Sequence, residues 1–146
     1  MNIVAIGAHP DDLEIFAYGF LAAASSRGDN LILGVATDGA AGGVNQGAEL
    51  ARQRAEEAKN GLAALGTPTL LDLPDGQLAD APNARTRITD FIRNAEPDLV
   101  ITHAPEDYHP DHRALAAHVR DAAGFICPVL FCDTLMGVGF TPDYYI

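Results

Sequence analysis

The chain has 146 residues, 48% of them apolar, and its 20 acidic against 9 basic residues give a formal net charge of −11. That length suits one domain with a real core. The acidic balance argues against a nucleic-acid surface and against docking to an anionic membrane, and leaves a small neutral ligand open. No basic segment precedes an apolar one at the start, so no signal peptide is read, and the apolar stretch 15–24 is too short to span a bilayer. Cys127 and Cys132 do not form a CxxC. Without a secretory signal they read as reduced, buried thiols of a cytoplasmic protein.

Residues 3–14 run Ile-Val-Ala-Ile-Gly-Ala-His-Pro-Asp-Asp-Leu-Glu. The first half is a short apolar run rich in β-branched residues, which predicts a buried strand. Gly7 and Pro10 break it, and His9, Asp11 and Asp12 follow just before a helical pattern begins. On a helical turn, His9 and Asp12 point the same way. An imidazole and a carboxylate together make two-thirds of a catalytic zinc site, which has three protein ligands and one open position. Asp11 then points elsewhere, placed to act as a general base. The competing expectation is that Asp11 and Asp12 only cap the helix.

Leu13, Phe16, Ala17, Phe20, Leu21 and Ala24 recur at helical spacing, predicting one helix closed by Gly28. Residues 31–36 predict a second strand. The loop Thr37-Asp38-Gly39-Ala40-Ala41-Gly42-Gly43 lacks the Gly-Lys-Ser/Thr ending of a phosphate loop and is not GxGxxG. It reads as a flexible loop beside the site, with Asp38 as its candidate ligand contact. A helix over 47–65 buries Ala51, Ala55, Ala58, Leu62 and Leu65, ending at Gly66 and Pro68. A third strand over 69–73 runs into the turn Pro74-Asp75-Gly76.

Residues 83–95 predict a helix with Ile88, Phe91 and Ile92 inward, and 99–102 a fourth strand. His103 follows it, either lining the pocket or hydrogen-bonded in a structural role. Then comes Tyr108-His109-Pro110-Asp111-His112, a second cluster at a strand-to-helix junction, with Pro110 suited to the first helical position. His109 and His112 are again three apart. The helix over 110–123 buries Leu115, Val119 and Ala122, and His118 reads as structural. A fifth strand spans 128–132.

A strand–helix order running through five strands, with the last helix missing, predicts a three-layer α/β sandwich with a mostly parallel, Rossmann-like sheet in the order 3-2-1-4-5. In that order the winding reverses between strands 1 and 4, and the loops after them open a crevice. Those two loops are the two His-bearing clusters. Together the clusters offer a His, Asp, His ligand set with an acid–base group beside each half; we take His9, Asp12 and His112 as the candidate ligands of a zinc ion, other divalent ions being compatible with the same N/O donors. Asp11 is the candidate base. His109 is the candidate donor to the oxyanion or the leaving amine, and Asp111 the carboxylate that orients an imidazole.

Ala8-His9-Pro10-Asp11-Asp12 with Glu14 following, and the downstream His109-Pro110-Asp111-His112, resemble the LmbE-like (PIG-L) zinc-dependent N-acetylglucosamine deacetylases. The likeness continues through Thr37-Asp38-Gly39 with Gly42, Glu49-Leu50-Ala51 to Arg54-Ala55-Glu56-Glu57, Leu73-Pro74-Asp75-Gly76 and Gly137-Val138-Gly139-Phe140. Family members often have a Gly pair where this chain has Tyr18-Gly19, and they run on well past its last residue. The chain thus reads as a single LmbE-like domain over 1–146 lacking the family's C-terminal part.

The resemblance implies removal of an N-acetyl group from an N-acetylglucosamine-type small molecule. It also implies substrate contacts for Arg54, by its guanidinium, and for Asp75, by a sugar hydroxyl. The alternatives are another metal-dependent amidase, a phosphoesterase, or an inactive metal-binding remnant with a partner-binding role. The short C-terminal side leaves Val129, Leu130, Phe131, Leu135 and Phe140 partly exposed, which implies a homo-oligomer.

Overall fold

The computed structural model describes residues 1–44, 46–132 and 141–144. Strand β1 (Asn2–Gly7) leads to helices α1 (Asp12–Phe16) and α2 (Tyr18–Ser26), and strand β2 (Asn30–Thr37) to helix α3 (Ala48–Gly61). Strand β3 (Thr69–Leu73) leads to α4 (Ala84–Asn94), β4 (Leu99–His103) to α5 (Pro110–Ala123), and β5 (Val129–Cys132) forms the last edge. The order is β3-β2-β1-β4-β5 and every pairing is parallel, as the crossover rule predicts. Among the described residues no helix is long and apolar enough to cross a membrane.

β1 is the centre of the sheet, and its alternation builds both layers. Val4 and Ile6 face one core with Ile88 and Ile92 of α4 and Leu115 and Val119 of α5. Ile3 and Ala5 face the other with Leu13, Leu21 and Ala24 of α1 and α2, and with Leu62 just after α3. Both cores close over a strand that water does not reach on either face, which is why its sequence is apolar throughout rather than alternating.

At the C-terminal end of β1 the sheet is tied from both sides. The Thr37 hydroxyl donates to the Ala8 carbonyl at 2.8 Å, and the Thr102 hydroxyl to the Ile6 carbonyl at 3.0 Å. The chain therefore leaves the sheet at a fixed point, and His9 follows immediately.

Three expectations need correction. The single helix after β1 is two helices, broken at Ala17, whose backbone has φ −126° and ψ −9°. Leu13, Ala17, Leu21 and Ala24 stay buried across the break, so the apolar stripe carries no mark of it. The helix over 47–65 ends at Gly61, and Leu62 to Leu65 continue as turns. The cysteines are free but only half-buried. On β5, Val129, Leu130 and Phe131 are half-buried as expected of an edge strand. Leu135, Phe140 and the segment 137–140 lie outside the described residues.

Candidate metal and catalytic site

Gly7 sets up the first cluster. A Cβ there would lie 2.7 Å from the Asp12 Cβ, so only glycine lets α1 fold this closely over the strand end. Asp12 is turned inward as a result, and its Oδ2 accepts the His9 backbone N–H at 2.7 Å. The expected cap is not what this turn contains. Asp11 occupies the N-cap position, but among the described residues its side chain makes no capping hydrogen bond. In the second cluster, His109 is the N-cap of α5, and its Nδ1 accepts the Asp111 N–H at 3.2 Å.

The two clusters converge. His9 Nδ1 lies 3.2 Å from His112 Nε2 and 3.5 Å from Asp12 Oδ2, and His112 Nε2 lies 3.5 Å from Asp12 Oδ1. Ligands held at about 2.0–2.1 Å in a tetrahedron are about 3.3 Å apart, so the three side chains stand at about ligand spacing, with the two histidines facing different oxygens of Asp12 rather than one shared donor atom. Overlapping triplets crowd the same spot: His9, His109 and His112; Asp12, His103 and His112; and His9, Asp75 and Asp111 each bring donor atoms within 4.8 Å of one another.

A second layer fixes which atoms face the triangle. His9 Nε2 lies 3.2 Å from Asp75 Oδ1 and 3.3 Å from Asp111 Oδ2. A proton on Nε2 satisfies both carboxylates and leaves the Nδ1 lone pair facing inward. His112 Nδ1 lies 3.1 Å from Asp107 Oδ2, too oblique to count as a hydrogen bond among the described residues. Its Nε2 likewise faces inward. Two nitrogen lone pairs at 3.2 Å repel unless a proton or a cation lies between them. The donor set and this opposition both fit a divalent ion.

Asp111 is pinned by the β3–α4 loop: Gly76 N–H donates to Oδ2 at 2.7 Å and Leu78 N–H to Oδ1 at 3.0 Å. His103 stacks on His112 with ring centroids 3.7 Å apart, and its Nε2 lies 3.0 Å from Asp12 Oδ2 and 3.0 Å from the Ala8 N.

Charge follows the geometry. Burial opposes ionisation of Asp12, but hydrogen bonds from His103, His112 and His9 outweigh it and hold the carboxyl far below the usual carboxylate range. Burial alone would lower His9 and His112. Hydrogen bonds and charge from Asp12, with Asp75 and Asp111 beside His9 and Asp107 beside His112, raise both instead. Burial lowers His109, and the neighbouring His9 and His112 lower it further. With Nδ1 accepting from Asp111, its proton sits on Nε2. Burial raises Asp11, against the opposing charge of Arg54.

These groups line a cavity of about 240 Å³. His9, Asp11, Asp12, Arg54, Asp75, His109 and His112 all reach it, and Ile15, Phe16 and Tyr108 add apolar wall. Asp75 and Arg54 are also engaged by the protein itself: Asp75 Oδ2 accepts the Ala41 N–H at 2.9 Å, and Arg54 Nη2 lies 2.9 Å from Asp11 Oδ2. Asp38 is not among the lining residues. Its Oδ1 accepts the Ala40 N–H at 3.0 Å and the Asp75 N–H at 3.4 Å, so it shapes the two loops from behind. Sequence reasoning misses Asp107, which looks like any loop acid; its place ahead of the His109–His112 cluster is its only signal. His103 takes both roles open to it: it lines the cavity, and its Nε2 lies 3.0 Å from Asp12 Oδ2.

Residues 4–123 match the PIG-L family, described as GlcNAc-PI de-N-acetylase. The chain is 33% identical over 125 residues to the uncharacterized deacetylase YaiS of Escherichia coli (strain K12), an alignment covering 78% of this chain and 63% of that protein. Its fold is similar to that of the N,N'-diacetylchitobiose deacetylase from Pyrococcus horikoshii in complex with its inhibitor, with a TM-score of 0.75 and 28% identity over 84% of this chain and 49% of that one. It is also similar to the conserved protein TT1542 from Thermus thermophilus, with a TM-score of 0.81 and 25% identity over 99% of this chain and 70% of that one. The chain thus spans less than two-thirds of the length of the curated relative and about half that of the chitobiose deacetylase.

Proposed function

This chain belongs to the PIG-L family of GlcNAc-PI de-N-acetylases, and on that premise we propose that it hydrolyses an amide, removing the acetyl group from an N-acetylglucosamine-type small molecule. The observation that carries the hydrolase reading is the triangle of His9 Nδ1, Asp12 and His112 Nε2, with Asp11 and His109 beside it on one cavity. His9, Asp12 and His112 would hold the ion, zinc by preference among divalent metals. A bound divalent ion supplies Lewis acidity, acidifying water and polarising an amide carbonyl.

The remaining steps belong to the chain's own residues. Asp11 accepts a proton from the attacking water as the carbon–oxygen bond forms. Its raised pKa makes it a stronger base than an ordinary carboxylate. The Nε2–H of His109 donates to the carbonyl oxygen as negative charge develops there. The carbon–nitrogen bond then breaks, and the proton held by Asp11 passes to the amine nitrogen, giving acetate and a free amine. Asp75 contacts the sugar where it reaches the cavity, and Arg54 stands beside Asp11 on the same wall. Asp38 takes no direct part and supports the Asp75 loop. The half-buried cysteines and the net charge of −11 suit a cytoplasmic protein with a small sugar partner.

The test is metal analysis together with amine release from a panel of N-acetylglucosamine conjugates. Stoichiometric metal with amine release supports the proposal. Metal without release across the panel would make the chain a metal-binding protein without this turnover. Phosphate release from phosphoesters in place of amine would reassign the reaction.

A further inference from the structure

The cavity is lined by two kinds of surface. Beside its carboxylates, imidazoles and the Arg54 guanidinium it has the apolar side chains of Ile15, Phe16 and Tyr108. Ile15 is 57% exposed and Tyr108 50%, so both reach the cavity at its rim. Neither belongs to the two cores. Ile15 stands on α1, whose buried residues are Asp12 and Leu13. Phe16 is the partly buried member, with its ring 4.7 Å from that of His103. Scattered apolar side chains on a surface mean little, but two that share the rim of one cavity mark a place where something apolar binds.

Size and charge narrow what that is. At about 240 Å³ the cavity falls below the roughly 300–1,000 Å³ of sites that enclose a drug-sized ligand. It suits a single sugar residue, and whatever is bonded to that sugar leaves past the rim. Asp11, Asp12, Asp75 and Asp107 line the cavity, and among the described residues Arg54 is the one guanidinium or ammonium beside them. Arg54 Nη2 already lies 2.9 Å from Asp11 Oδ2. A divalent ion would offset two of the carboxylates and leave the lining negative, on a chain of net charge −11. A phosphate or carboxylate on the departing substituent is repelled on approach and meets apolar side chains at the rim in place of a cation.

We propose that Ile15 and Tyr108, with Phe16, form a subsite for an uncharged, apolar substituent of the sugar, an aryl or alkyl aglycone, and that the chain selects N-acetylglucosaminides of that class over anionic ones. This rests on the reading that the cavity receives an N-acetylated sugar, and adds which substituent that sugar carries. The chemistry of the sugar fits the placement. Its aglycone is bonded to the carbon next to the one that bears the amide, so the two groups bind side by side. The Tyr108 ring lies 6.2 Å from the His109 ring and 5.9 Å from that of His112. An aglycone against Tyr108 is therefore next to the groups that would meet the amide, and the tyrosine ring offers it a large apolar area.

The test uses four N-acetylglucosamine derivatives: the methyl, butyl and phenyl glycosides and the 1-phosphate. Binding is measured by titration calorimetry and turnover by amine release. The butyl and phenyl glycosides should bind about 10-fold more tightly than the methyl one, as apolar contacts of this size discriminate. The phosphate should bind more weakly than the methyl glycoside, with the gap closing as salt is added. Ile15→Ser and Tyr108→Ser change exposed positions, so both variants should fold, and each should bring the phenyl-to-methyl ratio toward one. Ile15→Lys puts a cation at the rim and should raise affinity for the phosphate. A phenyl-to-methyl ratio near one in the wild type, a phosphate bound more tightly than the phenyl glycoside, or a ratio that survives both serine variants overturns the proposal. If the wild type binds these sugars but releases no amine, the proposed activity fails and the calorimetry still decides the subsite. If none of the four binds, the subsite falls as well.

Discussion

Asp11 and Asp12 are adjacent and chemically identical, yet one turn of backbone sends them to different tasks. Asp12 is buried among three imidazoles, and Asp11 stands beside Arg54 at the cavity. Asp12→Ala and His112→Ala should each lose bound metal and activity together. Asp11→Asn and His109→Ala should keep the metal and lose roughly 10²–10⁴-fold in rate. Metal stoichiometry and rate on these four variants decide it, and an active Asp11→Asn enzyme would remove the base from the mechanism while leaving the metal site standing. His103 and Asp107 stand behind Asp12 and His112. His103→Ala and Asp107→Asn should each weaken metal binding about 10–100-fold, measured by calorimetric titration, as loss of ligand-orienting partners does. Spacing made His9, Asp12, His109 and His112 legible in the sequence as pairs three apart at strand-to-helix junctions, although His9 and Asp12 meet across a non-helical turn, with Asp11 at φ 138°, rather than along a helix. It could not mark Asp107 or the grip of Arg54 on Asp11, which depend on contacts between segments.

Between β1 and α1 the chain turns on Gly7. Gly7→Ala would place a methyl 2.7 Å from the Asp12 Cβ. We expect α1 to be pushed off the strand end, at a cost of about 1–3 kcal/mol in stability, with weaker metal binding because Asp12 moves with the helix. Chemical denaturation and metal titration of this variant measure the two effects, and an unchanged affinity would mean that α1 shifts without carrying Asp12. At this scale the strands, and even their order, were legible, because β-branched runs and right-handed crossovers leave few arrangements. The break at Ala17 was not, since Leu13, Ala17, Leu21 and Ala24 keep one apolar stripe on both sides of it. Periodicity reports which face is buried, and a break that preserves the face is silent. The capping expectation for Asp11 failed for a related reason: position in the sequence marks where a cap belongs, but the side chain is drawn away to Arg54.

The sheet brings together groups that are distant along the chain. His9 and His112 are separated by 103 residues and meet only because β4 lies beside β1 in parallel, Ile3 opposite Leu99. Closing a loop of that length costs on the order of 4 kcal/mol in chain entropy, so the β1–β4 pairing is slow to form and depends on everything between. Before it forms, the N-terminal cluster offers one imidazole and one carboxylate to an ion, too few for tight chelation. Time therefore enters the site. On refolding, ion uptake should track the slowest phase, read in a stopped-flow experiment with a chelating dye. Uptake in the dead time would show that the N-terminal turn captures the ion alone. During synthesis the same constraint sets a direction: His9 emerges long before its partner, and a nascent chain should stay unable to sequester the ion until His112 clears the ribosome and the fourth strand docks.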